Sequence, residues 1–341
     1  MTPGLPRVAV EQLLKEPLLT WEPIRRGGNN RLYRITTPTR TLALKHHTRQ
    51  PEDPRDRQKT ERVALTFFAD HPPLPIPRLV AWEEASGLTA LEWIDGEQIQ
   101  TPSTDDLDQA LAFIAALAAL GEAPGTEAIP PASGACLSPG MLLRQVHART
   151  ERLRQAAADS HPELEAWMRG RFLPAMTRIL DRSITAFKRH GLESEAERPR
   201  ACRLLSPSDF GFHNALRQAD GRLVFLDFEY FGWDDPVKLS WDFQMHPGMN
   251  LAMHCARSGA DLGARFAAGM QRLYGADDTF ALRHALYRPL IGLCWCMIVL
   301  NEFARDGWER RALATGETDP DQVCARQLAK ATALLDTLEP L

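Results

Sequence analysis

The order of segment types along the chain predicts an α+β protein, with a sheet-rich first lobe and a larger helical second lobe. Two observations lead there. Short strand-like segments crowd the start of the chain, and long alanine- and leucine-rich helical stretches fill most of the remainder. One β-type section, 202–228, is embedded among the helices. The character changes after Gly96, so the lobes are placed at 1–96 and 97–341.

The first lobe opens its strands at Trp21–Ile24, followed by a Gly27-Gly28-Asn29-Asn30 turn and a second strand at 31–35. A third, Thr41–Lys45, alternates Leu42 and Leu44 on one face with Ala43 and Lys45 on the other. A polar link, 50–55, leads to a helix over Arg57–Ala69 with Glu61 near its start. Prolines exclude helix from 71–77. Two further strands follow at 78–83 and 88–93, around an Ala85-Ser86-Gly87 turn.

In the second lobe, helices are expected over 105–121, 141–158 and 162–189, with a Pro/Gly/Ala/Ser loop at 122–140. The β-type section turns at Gln218-Ala219-Asp220-Gly221, and helices resume at about 250–273, 278–304 and 319–338. No internal repeat is visible.

The chain has 341 residues, 44% hydrophobic and 25% charged, in the range of an ordinary globular protein. A net charge of −4 argues against a general nucleic-acid binder. The start of the chain has no basic segment followed by an apolar one, so no secretory signal is expected. The longest apolar run, 289–300, is short of the roughly 20 residues a bilayer requires and reads as a buried helix. Six scattered cysteines without paired Cys-x-x-Cys knuckles point to reduced thiols in a cytoplasmic protein rather than a zinc site. His46 and His47 are adjacent on a strand, point to opposite faces, and read as solvated residues rather than a metal pair.

Chemistry concentrates between Leu204 and Asp242. Asp209 precedes the expected hairpin, Asn214 follows it by five residues, and Asp227 lies at the hairpin's far end. Phosphoryl transfer from ATP requires a carboxylate to orient or accept the proton of the attacking hydroxyl, and oxygen ligands for Mg²⁺. A hairpin brings its ends together, which lets Asn214 and Asp227 share one metal.

This pattern resembles the aminoglycoside phosphotransferase and choline kinase family, relatives of the protein kinases. Its usual form is His-Gly-Asp-x4-Asn, a hairpin, Ile-Asp-Phe/Trp-Glu, Gly-Asp-Pro and Asp-Leu-Ala. Here Asp209 and Asn214, Leu226-Asp227-Phe228-Glu229, Asp235-Pro236 and Asp242 stand in that order. The resemblance implies a two-lobed, protein-kinase-like fold using ATP and Mg²⁺. It implies that Asp209 is the catalytic carboxylate, that Asn214 and Asp227 hold the metal, and that Asp235 and Asp242 act as anchors. Lys45 resembles the strand lysine on the nucleotide phosphates and Glu61 its ion-pair partner, with Glu52 and Glu83 as alternatives. Gly27, Gly28 and Asn29 resemble the phosphate-covering turn, and Glu92, Trp93 and Ile94 the hinge that bonds adenine. Glu229, Tyr230, Trp233 and Asp234 are the acceptor-site candidates. The matches span about residues 20–245.

One position departs from the pattern, with Pro207-Ser208 replacing the usual His-Gly and His213 available as a substitute brace. The expected activity is transfer of the γ-phosphate to a hydroxyl of a sugar, amino alcohol or similar metabolite. The alternative is a catalytically inactive nucleotide-binding module with a sensing or docking role. A true protein kinase is disfavoured, because no His-Arg-Asp, Asp-Phe-Gly and Ala-Pro-Glu set is present.

Overall fold

Alternation along a single strand organises the first lobe. On β3 (Thr41–His47), Leu42 and Leu44 join Val10, Leu14, Leu18, Ile35, Leu88 and Ala90 in a small core of their own. Ala43 faces the other way, toward the main core. The structure is a computed structural model and describes residues 7–24, 30–47, 55–249, 251, 255, 259, 261–315 and 317–338.

The sheet is antiparallel, in the order β1-β2-β3-β5-β4, with β1 at Thr20–Ile24, β2 at Asn30–Thr36, β4 at Leu79–Glu83 and β5 at Leu88–Glu92. Pro23 sits on the edge strand β1, where a missing backbone donor costs no ladder bond. A helix unforeseen in the sequence, α1 (Arg7–Leu14), covers one face of the sheet. Its Val10 and Leu14 are one turn apart, so both reach the same side. On the opposite face lies α2 (Arg57–Ala69), capped by Asp56, whose carboxylate accepts from the Lys59 N–H at 2.9 Å.

The second lobe is built on α3 (Thr104–Ala119), α4 (Pro139–Ser160), α5 (Pro162–Trp167), α6 (Leu173–Arg189) and later helices at Leu262–Leu273, Phe280–Val299, Arg305–Thr315 and Pro320–Asp336. The single helix expected over 162–189 is interrupted by a wide π turn at Met168–Phe172. Pro174 sits at the start of α6, so the missing donor and the bulky ring fall next to that widened turn. The Arg305–Thr315 helix and α7 (Pro236–Met245) also lay outside the sequence expectation. So did the short strand β10 (Gly232–Asp234), which pairs with β7 (Leu204–Ser206). The Phe280–Val299 helix and its extension to Phe303 are apolar and long enough to cross a bilayer, but the helix is largely buried within this fold.

The embedded hairpin is β8 (Ala215–Arg217) and β9 (Leu223–Phe225), and β6 (Glu97–Gln98) adds to its edge. The hairpin is clamped from α3. Gln109 bonds both Gly221 O and the Leu223 N–H, and Arg217 pairs with Asp106 at 2.5 Å. Phe113, also on α3, stacks on Phe225 and Phe210. These contacts fix the hairpin, and with it the loop on either side.

Candidate active site

Two buried phenylalanines anchor the loop that follows β7. Phe210 and Phe212 sink into the main core against Phe225, Phe243 and Phe266. The carboxylate of Asp209, just before them, turns outward and is about a third exposed (35%). Ser208 holds a left-handed backbone conformation, φ 68°, which costs a residue with a Cβ on the order of 1–2 kcal/mol. Its N–H donates to Ser206 Oγ at 3.0 Å, and its hydroxyl reaches Ser133 O at 3.5 Å.

Asp209 is braced by two imidazoles. His213 Nε2 lies 2.9 Å from Asp209 Oδ1, and His246 Nε2 lies 3.6 Å from the same oxygen. The rings stack at 3.7 Å and 6°. His246 Nδ1 accepts the Gly248 N–H at 3.0 Å, which places the His246 proton on Nε2, facing the carboxylate. These three residues also form a compact cluster of potential metal ligands. At 3.6 Å, His246 Nε2 is a close polar neighbour of the Asp209 carboxylate, beyond hydrogen-bond distance. Burial pushes the Asp209 carboxyl upward, but the hydrogen bond and charge of His213 and the Asn214 bond outweigh it. The carboxyl is therefore held well below the ordinary carboxylate range. His246 itself is pushed down to about 4, by burial and then by the neighbouring His213. Sequence reasoning missed His246, which sits at the end of α7 with no local motif around it; among the described residues, only the folded position of α7 marks it.

Asn214 donates its Nδ2 to Asp209 O at 2.9 Å, so its amide is fixed from the nitrogen end. Leu226 N–H donates to Asn214 O at 2.8 Å, which brings Asn214 beside Asp227 across the hairpin. Asp227 adopts φ 69°, a second left-handed residue in the site. Burial raises its pKa, and Glu61 and Asp209 add to the rise, against the lowering effect of Lys45.

Lys45 joins the lobes. Its Nζ lies 2.6 Å from Glu61 Oε1 and 2.8 Å from Asp227 Oδ1. Burial alone would push this ammonium down, but Asp227, Glu61 and Glu229 together raise it well above the ordinary lysine range. Of the three glutamates considered as partner, Glu61 on α2 makes the pair. Glu83 ends β4 in an exposed position and Glu52 lies outside the described residues. His47 does not point into solvent; it is buried, with Nε2 3.5 Å from Glu61 Oε2.

The turn residues Gly27, Gly28 and Asn29 lie outside the described residues. Next to them, Asn30 donates to Glu229 Oε2 at 2.5 Å, and Arg57 Nε is 3.6 Å from Glu229 Oε1. Glu229 is thus buried between the lobes, and burial and then the Asp227 charge push it up to about 6. Tyr230 lies under Arg55 and Arg57. Trp233 and Asp234 are buried in β10: the Trp233 indole donates to Thr126 O at 3.0 Å and Asp234 accepts the Cys136 N–H at 2.7 Å. Glu229 and Tyr230 therefore face the first lobe, and Trp233 and Asp234 the interior of the second.

Glu92 binds Arg78 at 3.0 Å and Trp93 Nε1 donates to Asp95 at 2.8 Å. Among the described residues, the backbone polar groups of Trp93 and Ile94 make no backbone hydrogen bond, in contrast to the paired strand before them. Asp235 caps α7 through the Val237 N–H and receives a bidentate pair from Arg283 at 2.9 and 3.0 Å, both residues fully buried. Asp242 accepts Lys238 at 2.5 Å and the Trp295 indole at 2.9 Å.

With this geometry in place, comparison with known proteins is informative. A family model described as the phosphotransferase enzyme family matches residues 20–292. Among solved structures, a choline kinase from Streptococcus pneumoniae is 14% identical, with 97% of each chain covered and a TM-score of 0.55. A spectinomycin phosphotransferase solved with ADP and spectinomycin is 12% identical, covering 96% of this chain and 99% of its own, at a TM-score of 0.58. A Plasmodium vivax ethanolamine kinase is 10% identical, covering 94% of this chain and 83% of its own, at 0.56. At these identities the likeness is one of fold. No curated protein sequence matches the chain.

Proposed function

We propose, from the premise that this chain belongs to the phosphotransferase enzyme family, that it moves the γ-phosphate of ATP to a hydroxyl of a small molecule in a Mg²⁺-dependent reaction. The observation that carries this reading is Lys45, held between Glu61 of the first lobe and Asp227 of the second. Only a closed pair of lobes assembles that group, and it aims a cation at the cleft where phosphates would lie. The unpaired backbone of Trp93 and Ile94 supports a hinge role, since an adenine edge needs such donors and acceptors. The spectinomycin phosphotransferase neighbour was solved with ADP, which supports a nucleotide in this cleft.

Asn214 and Asp227 would hold the metal. The donor set fits: both offer hard oxygen atoms, and burial together with the nearby Glu61 and Asp209 charges leaves Asp227 in an excess of negative charge that a divalent cation would offset. When bound, Mg²⁺ neutralises charge on the transferring phosphate.

The outward-facing carboxylate of Asp209, hydrogen-bonded by His213, would orient the acceptor hydroxyl, and its lowered proton affinity supports that role over one as a strong base. His213 and His246 position that carboxylate. Lys45 and Glu61 would fix the nucleotide phosphates, and the glycine turn 27–29 would cover them. All six cysteines are free, which supports a cytoplasmic setting.

The test is thermal unfolding with ATP, with and without Mg²⁺, on the native protein and on Asp227→Asn, followed by assay of γ-phosphate transfer. At about 100 times its dissociation constant a ligand stabilises by roughly 2.7 kcal/mol. A Mg²⁺-dependent shift lost in the variant is the expected result. No shift in either protein would overturn the nucleotide site. A shift without transfer to any acceptor would favour a nucleotide-sensing module, the reading that the strained Ser208 motivates.

A further inference from the structure

Only one of the two carboxylate oxygens of Glu61 is bonded. Oε1 lies 2.6 Å from Lys45 Nζ, whereas Oε2, on a side chain 1% exposed, has no hydrogen bond among the described residues. An orphaned oxygen on a buried charge is costly and calls for a partner. The polar atom facing it is His47 Nε2, 3.5 Å away, buried and itself without a hydrogen bond. His47 lies two residues beyond Lys45 on β3, so the two side chains share the face that meets α2.

Both backbones are fixed. The His47 N–H donates to Gly87 O at 2.8 Å, and Gly87, at φ 70°, lies so close that a Cβ there would be 2.5 Å from His47 O. On α2, three residues before Glu61, Gln58 Nε2 donates to Leu88 O at 2.8 Å and to Glu83 O at 3.0 Å. Strand and helix are thus pinned to the same turn, and only the Glu61 carboxylate is left to be oriented. The surrounding charge favours a donor at its free oxygen. Asp227, Glu61 and Glu229 all act on the one ammonium of Lys45, with Arg57 set against Glu229.

We propose that His47 is a positioning residue for the Lys45–Glu61 pair. Its Nε2–H takes the free oxygen of Glu61 and holds that carboxylate, so that Oε1 keeps Lys45 aimed at the nucleotide phosphates. A shift of about 0.6–0.8 Å brings the two atoms to the distance of a charge-assisted hydrogen bond. This deepens the nucleotide reading above and rests on it.

The experiment replaces His47 by Gln, Asn and Leu, checks folding by circular dichroism, and measures ADP and adenosine affinities in Mg²⁺ by calorimetry. Glutamine puts an amide N–H near the place of Nε2, asparagine near that of Nδ1, and leucine supplies none. The ratio of ADP to adenosine affinity isolates what the phosphates gain, and a role confined to packing would leave it unchanged. We expect the ratio to fall by about tenfold in His47→Asn and His47→Leu, and by less than about threefold in His47→Gln. In a Glu61→Gln background, His47→Leu should lower it little further, because residues that act through one another are not additive. Should His47→Leu fail to fold, the contrast between Gln and Asn decides alone. An unchanged ratio in folded His47→Leu, no advantage of Gln over Asn, or losses that multiply with Glu61→Gln, overturn this proposal alone. Absence of an ATP shift in the native protein overturns the nucleotide reading and this proposal with it.

Discussion

Lys45 and Asp227, 182 positions apart in the sequence, meet at 2.8 Å across the cleft, and Glu61 completes the group from the helix behind Lys45. Glu61 is only 1% exposed, so its charge depends on this lysine. Lys45→Met should therefore cost about 3–5 kcal/mol of stability in denaturant unfolding, because it strands a buried carboxylate. The double variant Lys45→Met with Glu61→Gln should recover most of that loss. Its phosphotransfer should still fall by at least about a hundredfold, which separates the catalytic role from the structural one.

Ser208 stands where the resembled pattern has glycine, and it keeps the left-handed backbone that glycine adopts freely. Ser208→Gly should unfold at a temperature at or above that of the native chain. Ser208→Val should lose about 2 kcal/mol, since a β-branched side chain tolerates positive φ least. A strongly destabilised glycine variant would show that the Ser208 hydroxyl contributes more than its backbone costs.

Two groups give opposite pH dependences. Folding lowers His246 from 6.5 to about 4, so the unfolded chain binds the extra proton and the His246 contribution is lost as pH falls through that window. Folding raises Glu229 from 4.5 to about 6, so its contribution is present at low pH and lost as pH rises through that window. Unfolding free energies of native, His246→Asn and Glu229→Gln proteins across this range should show it. The native-minus-His246→Asn difference should shrink on acidification, and the native-minus-Glu229→Gln difference should shrink on alkalinisation.

Arg283 is fully buried and answers two carboxylates, Asp235 and Asp277. Arg283→Met should cost about 3–5 kcal/mol, as it leaves Asp235 buried without its bidentate partner and loosens the start of α7. Since α7 ends at His246, the same variant should weaken the brace on Asp209, visible as reduced kcat in the protein that remains folded. Unchanged stability would show that Asp235 is satisfied by its own cap alone.

Order and spacing along the chain were enough to place Asp209, Asn214 and Asp227 on one hairpin and Lys45 on a strand before Glu61. A hairpin's ends meet whatever surrounds them, and strand alternation puts Lys45 opposite Leu44 by local geometry. The tertiary structure decided the rest, because it depends on groups distant in sequence. His246 reaches Asp209 only once α7 has folded back, and Glu229 turns toward Asn30 and Arg57 only when the lobes close. Trp233 and Asp234 stand in the sequence as acceptor-site candidates just past the metal segment, yet β10 pairs with β7 and buries them. Local sequence determines backbone periodicity and turns. Burial, and with it the protonation and partners of each acidic group, is set by what packs against that group from elsewhere in the chain.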